Sequence, residues 1–330
     1  MLQGLSVLAM VWLHLFDRNY EGLFQPVLFF AGVPFSFYMA QLCDFCVFGF
    51  AFCSGYGHYI QYQKPDFYKK RLKGLLSVFC SYWLVLLFFS VAALLLGQGE
   101  FMPGSFRKFL MNALALENSY NGAWWYMFAY AVLVLLSPLL MKLVAKVHPL
   151  LVLGVGFVVY FAAYYVRFKM TGTGWLLGKF GPLGMTLFEY LIGAVCCKEQ
   201  AISKLHTIWE KIRKEVRWIL ALLLMAVMLY ARTKILPSLF VAPVTGFVVM
   251  LLFHYWKKPK GVQALFLFVG QHSTNIWLTH MFFYAVLLKN FVYVVKYPLL
   301  IFLLMIGITT LLSMLLQMLG KPIQSRIAKL

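Results

Sequence analysis

The chain has 330 residues, of which 63% are apolar, 18% aromatic and only 12% charged, and its mean hydropathy is +0.82. Soluble domains are about 45–50% apolar and about 25% charged, so this composition excludes an ordinary soluble protein. A formal charge of +19 is large enough for a nucleic-acid-binding protein, but the positions of the basic residues along the chain favour another explanation.

Ten apolar runs are long enough for transmembrane helices, since a helical span needs about 20 residues. We therefore predict an all-α, polytopic membrane helix bundle of about ten transmembrane helices, which forms a single domain over residues 1–330. The connections are too short to hold a separate soluble domain. The predicted spans are residues 1–17, 36–62, 74–97, 123–142, 149–166, 175–197, 217–232, 235–256, 263–286 and 297–320.

The basic residues lie mainly on one side of these spans. With the amino terminus in the cytoplasm, 19 of the 29 Lys and Arg residues fall on the cytoplasmic side. Cytoplasmic loops of membrane proteins carry such an excess of Lys and Arg. We therefore predict that both termini are cytoplasmic and that the positive charge reports orientation and contact with membrane lipids, or with an anionic donor. No nucleic-acid partner is expected.

The first span carries Gln3, Met10, His14 and Asp17 at separations of 7, 4 and 3 residues, which places them on one helical face. This face must point into the bundle, because polar groups in hydrocarbon cost free energy. Asp17 lies one turn beyond His14, so its carboxylate can bind one ring nitrogen and leave the other free as a base. Alternatively, His14 and Asp17 simply mark the outer end of the span.

Asp44 lies well inside the second predicted span, where a lone carboxylate indicates a functional group or an ion pair. Gly49, Cys53 and Gly57 follow at four-residue spacing, which favours close packing of a neighbouring helix. The six cysteines of the chain lie in or beside apolar runs. We interpret them as buried, reduced side chains and expect no metal site.

A basic cluster follows the second span and begins the next helix; it consists of Lys69, Lys70, Arg71 and Lys73. Fixed cations at a helix start suit the phosphates of an anionic donor, while anchoring at a lipid surface also explains the cluster. Residues 98–122 are predicted to form an outer loop with one surface or re-entrant helix. Residues 198–217 are predicted to form an amphipathic helix on the cytoplasmic leaflet.

Five segments of the chain, by their order and spacing, resemble the acyltransferase family 3 integral membrane proteins. They are GLSVLAMVWLH at 4–14, CVFGFAFCSGYGHY at 46–59, KKRLKGLL at 69–76, AWWYMFAYAVLVLLSPLL at 123–140 and GQHSTNIWLTH at 270–280. Members of this family typically have ten spans and move an acyl group from cytoplasmic acyl-CoA to hydroxyls of envelope carbohydrates. The resemblance implies a plasma-membrane O-acyltransferase with acyl-CoA, usually acetyl-CoA, as donor and a carbohydrate or glycolipid as acceptor.

Carried over by position, the resemblance makes His14 the essential histidine, which acts as a general base on the acceptor hydroxyl. Asp17 or Asp44 would then hold the imidazole tautomer, as a buried carboxylate does in a catalytic triad. The residues assigned to the acyl-CoA donor are Gln3, Lys70, Arg71 and Lys73. Gln3 stands where the family usually has an arginine.

The resemblance assigns the acceptor to Trp125, Tyr126 and His280. Trp125 and Tyr126 begin a span similar to the family's aromatic span, where they would stack on a sugar; an interfacial aromatic belt explains the same residues. His280 matches a late family histidine, although a histidine at a helix end is often structural.

Two other functional classes are also compatible with the sequence. A transporter or exporter of an envelope glycan or lipid-linked sugar would use a similar cavity without acyl chemistry. Such folds often show broken helices in matching halves, and Gly181, Pro182 and Gly184 interrupt one predicted span without a counterpart in the first half. A non-catalytic scaffold is the third alternative.

Overall fold

The computed structural model describes residues 1–235 and 238–329, and the described chain is almost entirely helical. The all-α prediction is therefore confirmed. One short antiparallel hairpin, β1 (Phe29–Phe30) with β2 (Val33–Pro34), follows the first helix. The α-helices are α1 (Leu2–Phe16), α2 (Phe35–Leu42), α3 (Cys46–Tyr62), α4 (Phe67–Leu95), α5 (Phe106–Ala113), α6 (Trp125–Lys146), α7 (Pro149–Phe168), α8 (Trp175–Lys198), α9 (Ala201–Glu210), α10 (Lys214–Tyr230), α11 (Ser238–Tyr255), α12 (Lys260–Thr279), α13 (Met281–Tyr284) and α14 (Pro298–Lys329).

Each of the ten predicted spans coincides with a helix or a pair of helices, although residues 236–237 of one span lie outside the described residues. Among the described residues, seven helical segments are long and apolar enough to cross a membrane. They are Phe35–Tyr62, Phe67–Leu95, Gly122–Lys146, Pro149–Phe168, Trp175–Lys198, Lys214–Thr233 and Pro298–Ile327. The count of ten spans and the cytoplasmic location of both termini stay predictions.

The connections predicted at the two ends of the bundle also contain helices. α5 forms within the loop predicted for residues 98–122, and α9 forms within the amphipathic stretch predicted for residues 198–217. α5 begins after Ser105, whose hydroxyl accepts a hydrogen bond from the backbone N–H of Lys108. This contact satisfies one of the free N–H groups at the helix start.

The first helix, α1, occupies the middle of one half of the bundle. It packs against α2, α3, α11, α12 and α14. Val7, Val11 and Leu15 have no exposed surface, so this face of α1 is buried in the protein. Its polar face points into the protein at Met10 and His14, as their spacing predicts, whereas Gln3 and Asp17 at the two ends of this face are exposed.

Two glycines allow α1 and α12 to approach closely. A Cβ atom at Gly4 would overlap the backbone oxygen of Phe266, and one at Gly270 would lie 3.4 Å from the backbone nitrogen of Gly4. Glycine permits such close backbone contact because it has no Cβ. The two helices run in the same direction, and ten residues later His14 contacts His280. The close approach at Gly4 and Gly270 therefore fixes which residues of α1 and α12 face each other at the level of His14.

The small residues of α3 pack against helices on two sides. A side chain at Gly49 would overlap Ser6 of α1, and one at Gly55 would overlap the backbone of Tyr190 in α8. The prediction of close packing is therefore correct at Gly49. It is wrong at Gly57, where no atom of the described residues lies within 4 Å of the position that a Cβ would take.

We expect Gly4→Ala to destabilise the protein, because α1 must move away from α12 to make room for a methyl group. Gly57→Ala is the matched control, and it should leave the melting temperature unchanged or raise it, since alanine is favoured over glycine in a helix by about 1 kcal/mol. Thermal unfolding of the purified proteins in detergent measures the difference. Equal losses in the two variants would contradict the close approach at Gly4.

Candidate active site

A cavity of about 270 Å³ lies beside α1. Gln3, Met10 and His14, all predicted to share one face of this helix, line its wall. Gln3 and His14 are eleven residues apart, which corresponds to about 16 Å along a helix that rises about 1.5 Å per residue. The cavity therefore follows most of the length of α1. Other lining residues are Asp44, Ser54, Trp125, Tyr126, Tyr130 and Arg167.

His14 and His280 form a hydrogen-bonded pair next to this cavity. Nδ1 of His14 lies 2.8 Å from Nε2 of His280, and the two ring planes are within 4° of parallel. His280 has no exposed surface, whereas His14 is half-buried and lines the cavity. The sequence separates the two residues by 266 positions, and the same offset relates Gly4 to Gly270.

The backbone around His280 determines the tautomer of both rings. Nδ1 of His280 lies 2.8 Å from the carbonyl oxygen of Trp277 and 3.2 Å from that of Ile276. Carbonyl oxygens only accept, so Nδ1 carries the proton and Nε2 of the neutral ring is an acceptor. His14 must then donate from its own Nδ1, which leaves the lone pair on its Nε2. A neutral His14 with a free Nε2 is a candidate general base.

The end of α12 that carries His280 is held by the start of α6. Asn121 Nδ2 and Trp124 Nε1 both donate to the carbonyl oxygen of Leu278, at 3.1 and 3.0 Å. Trp277 Nε1 donates in turn to the carbonyl oxygen of Ala123 at 2.9 Å. These bonds satisfy carbonyls that the helix end leaves free, and they fix the backbone on which His280 stands.

A comparison with protein families identifies the family of the chain. A family model described as an acyltransferase domain matches residues 1–318. The chain belongs to acyltransferase family 3. Because the match includes every residue of the cavity and several apolar helices accompany it, this family 3 protein is a multi-pass membrane acyltransferase. Comparison with curated proteins and with solved structures finds no match.

The predicted role of Asp17 in the family 3 acyltransferase requires a correction. Asp17 does not contact His14 among the described residues; its carboxylate accepts a hydrogen bond from Nε2 of Gln41 at 2.5 Å. The helix ends at Phe16, and the chain leaves helical geometry at Asp17, so the one-turn spacing from His14 no longer applies there. His280, which follows a distant helix, contacts Nδ1 of His14 instead.

Asp44 lies in the cavity wall but also does not hold the His14 ring. Oδ2 of Asp44 lies 3.2 Å from Nε of Arg232, and the two half-buried side chains form an ion pair. A short 3₁₀ turn, Cys43–Phe45, separates α2 from α3 and carries Asp44. The sequence predicts either a functional role or an ion pair for Asp44, and the structure shows the ion pair, with Arg232 as the partner.

The aromatic residues predicted to bind the acceptor lie at the cavity. Trp125 and Tyr126 both line it, together with His14. The Tyr126 ring contacts the Trp277 ring edge-on, at 5.7 Å between centroids. Trp124, by contrast, is 1% exposed and hydrogen-bonded, so it does not belong to an interfacial belt.

The basic residues assigned to the donor do not line the cavity. Lys70 is exposed, with Nζ 3.4 Å from the carbonyl oxygen of Pro65, whereas Lys73 is half-buried. Nη2 of Arg71 donates to Oε1 of Gln61 at 2.6 Å. Of the four donor residues that the sequence indicated, only Gln3 belongs to the described cavity wall.

Sequence reasoning missed three charged residues at the site: Arg167, Glu189 and Arg232. Arg167 and Arg232 lie at or just beyond the ends of predicted spans, and Glu189 lies inside the predicted span 175–197. A charged side chain within an apolar run is the signal that identifies Asp44, and the same rule applied to Glu189 would have found it.

We expect His280→Ala to reduce acyl transfer by about 10²-fold or more, because the His14 ring loses the acceptor that fixes its tautomer. His280→Gln should retain more activity, since the amide oxygen can still accept from His14 Nδ1. The rate of acyl transfer at saturating substrate is the measurement, and His206→Ala serves as control. Equal rates for the Gln and Ala variants would contradict the positioning role of His280.

Proposed function

We propose that this protein transfers an acyl group, most simply acetyl, from cytoplasmic acyl-CoA to a hydroxyl of an extracytoplasmic carbohydrate or glycolipid, with His14 as general base. The observation that carries the proposal is the contact of His14 Nδ1 with His280 Nε2, because the carbonyl partners of His280 then assign the free lone pair to Nε2 of His14, on a ring that lines a cavity inside the bundle. Family membership supplies the reaction class. The plasma membrane is the proposed location.

In the proposed reaction, the acceptor hydroxyl attacks the thioester carbonyl while its proton moves to Nε2 of His14. A new C–O bond forms, the C–S bond breaks, and the CoA thiolate leaves and recovers the proton from the imidazolium. Throughout, Nδ1–H of His14 stays bonded to His280. A positioned base of this kind typically contributes about 10²–10⁴-fold to the rate.

The length of the cavity supports an approach of the two substrates from opposite sides. The predicted topology places Gln3 near the cytoplasm and Trp125 near the outer surface, and both line the same cavity as His14. The thioester would then reach His14 from the Gln3 end, and the acceptor from the Trp125 end. His14 lies where the two paths meet.

Arg71 is the best-supported donor contact in the basic cluster. Its Nε is buried and has no hydrogen-bond partner among the described residues. A planar guanidinium with an unused donor suits a phosphate oxygen.

His14→Ala should abolish ester formation while insertion and folding stay intact, because Nε2 of His14 is the proposed proton acceptor. The test incubates membranes that contain the protein with radiolabelled acetyl-CoA and purified envelope glycans, and measures label in alkali-labile esters. His148→Ala, outside the cavity, is the matched control. Ester formation by His14→Ala would remove this residue from the mechanism, and export of an unmodified glycan by the wild type would support a transporter.

Arg71→Ala should raise the KM for acetyl-CoA by about tenfold or more without a comparable change in kcat, since a hydrogen bond to a charged group contributes about 1.5–3 kcal/mol. Lys64→Ala is the control for a general loss of positive charge on the same side. Steady-state kinetics over a range of acetyl-CoA concentrations separate the two parameters. An unchanged KM would exclude Arg71 from donor binding.

A further inference from the structure

A second, smaller cavity of about 110 Å³ adjoins the cavity that contains His14. The two cavities share Asp44, Trp125 and Arg167 in their walls. The smaller one adds Glu189 and Thr186 of α8. We call this space the side branch. Its volume is several times the roughly 10–15 Å³ that a single water molecule needs, so it can hold more than one polar group.

Glu189 is the deepest charged group of the side branch. Glu189 is only 4% exposed. Its Oε2 atom is buried and has no hydrogen-bond partner among the described residues. Buried polar atoms are nearly always hydrogen-bonded, because an unsatisfied acceptor costs free energy. An unpaired carboxyl oxygen in the wall of a cavity therefore indicates a polar ligand group, such as a hydroxyl, that can form a hydrogen bond with it.

Arg167 lies in the same wall and carries the opposite charge. Within the described part of the chain it forms no ion pair with Glu189 or with Asp44, which is paired with Arg232. Its guanidinium instead lies over the rings of Trp125 and Phe168, at 5.0 and 5.2 Å from their centroids. Arg167 is exposed, and its Nη1 lies 4.0 Å from Sδ of Met185, which also lines the branch.

The two charges define the chemistry of the occupant. An anion in the branch would be repelled by an ionised Glu189, and a cation would be repelled by the guanidinium of Arg167. A neutral group with several hydroxyls satisfies both, because each hydroxyl donates to a carboxylate and accepts from a guanidinium. Trp125 adds an apolar ring face of the kind on which a sugar ring can stack.

From this geometry we infer that the side branch binds one neutral, hydroxyl-rich sugar ring of the acceptor, with Glu189 and Arg167 as specificity-determining residues. This inference rests on the proposed function and adds to it the part of the acceptor that the protein recognises. Since the branch shares Asp44, Trp125 and Arg167 with the wall of the cavity that His14 lines, a ring bound there would place a neighbouring hydroxyl on the side of His14.

The experiment measures sugar binding separately from acyl transfer. The full-length protein in lipid nanodiscs is titrated with methyl glycosides of neutral hexoses and with methyl glucuronide, and binding is followed by saturation-transfer NMR. Glu189→Gln and Arg167→Gln should each weaken binding of the neutral glycosides by about tenfold or more. Glu210→Gln, on an exposed residue of α9, should not change it, and the affinity for acetyl-CoA should be the same in all four proteins.

Absence of glycoside binding by the wild type, equal affinities in the variants, or preference for the glucuronide would each overturn the inference. Arg167 lies at an exposed helix end, so Arg167→Gln tests the branch even if Glu189→Gln fails to fold. Ester formation measured in parallel separates the two proposals. Binding that depends on Glu189 without any ester product would overturn the proposed reaction alone, and acetylation that is insensitive to Glu189 would overturn the side branch alone.

Discussion

The hydrogen bond between His14 and His280 is the contact on which the geometry of the site depends. It joins two helices that are distant in sequence, and it forms because Gly4 and Gly270 let the same helices approach closely ten residues earlier. Parallel helices in close contact keep their register over this distance, since each rises by about 1.5 Å per residue. Close packing at Gly4 and Gly270 therefore orients the His14 ring ten residues further along the two helices.

The distribution of charge in the interior follows from the cost of burying ions in a membrane protein. Asp44 is paired with Arg232 and Glu189 lines a small cavity, while Asp17, which is exposed at the end of α1, is hydrogen-bonded to Gln41. All of these acidic groups lie near the main cavity or at the end of α1, where polar groups can meet partners. Large apolar side chains cover the rest of the helix surfaces, as expected for contact with lipid.

Much of the site follows from patterns within single helices. The separation of Gln3, Met10 and His14 in the sequence is enough to place them on one face, and all three line the cavity. The same reasoning failed for Asp17, because the helix ends at Phe16 and helical periodicity stops with it. Glu189 was within reach of sequence analysis, since a carboxylate in an apolar run is a recognisable signal.

The sequence alone determined the membrane environment, the helical class and the positions of the main helices, because hydrophobicity and its period are properties of short segments. It also indicated the family, through motifs that lie within single helices or at their ends. Only the tertiary structure decided that His280 holds His14, that Arg232 pairs with Asp44 and that Glu189 and Arg167 share a cavity. These contacts join residues far apart in the chain, and their distances depend on how close the helices pack, which no local pattern encodes.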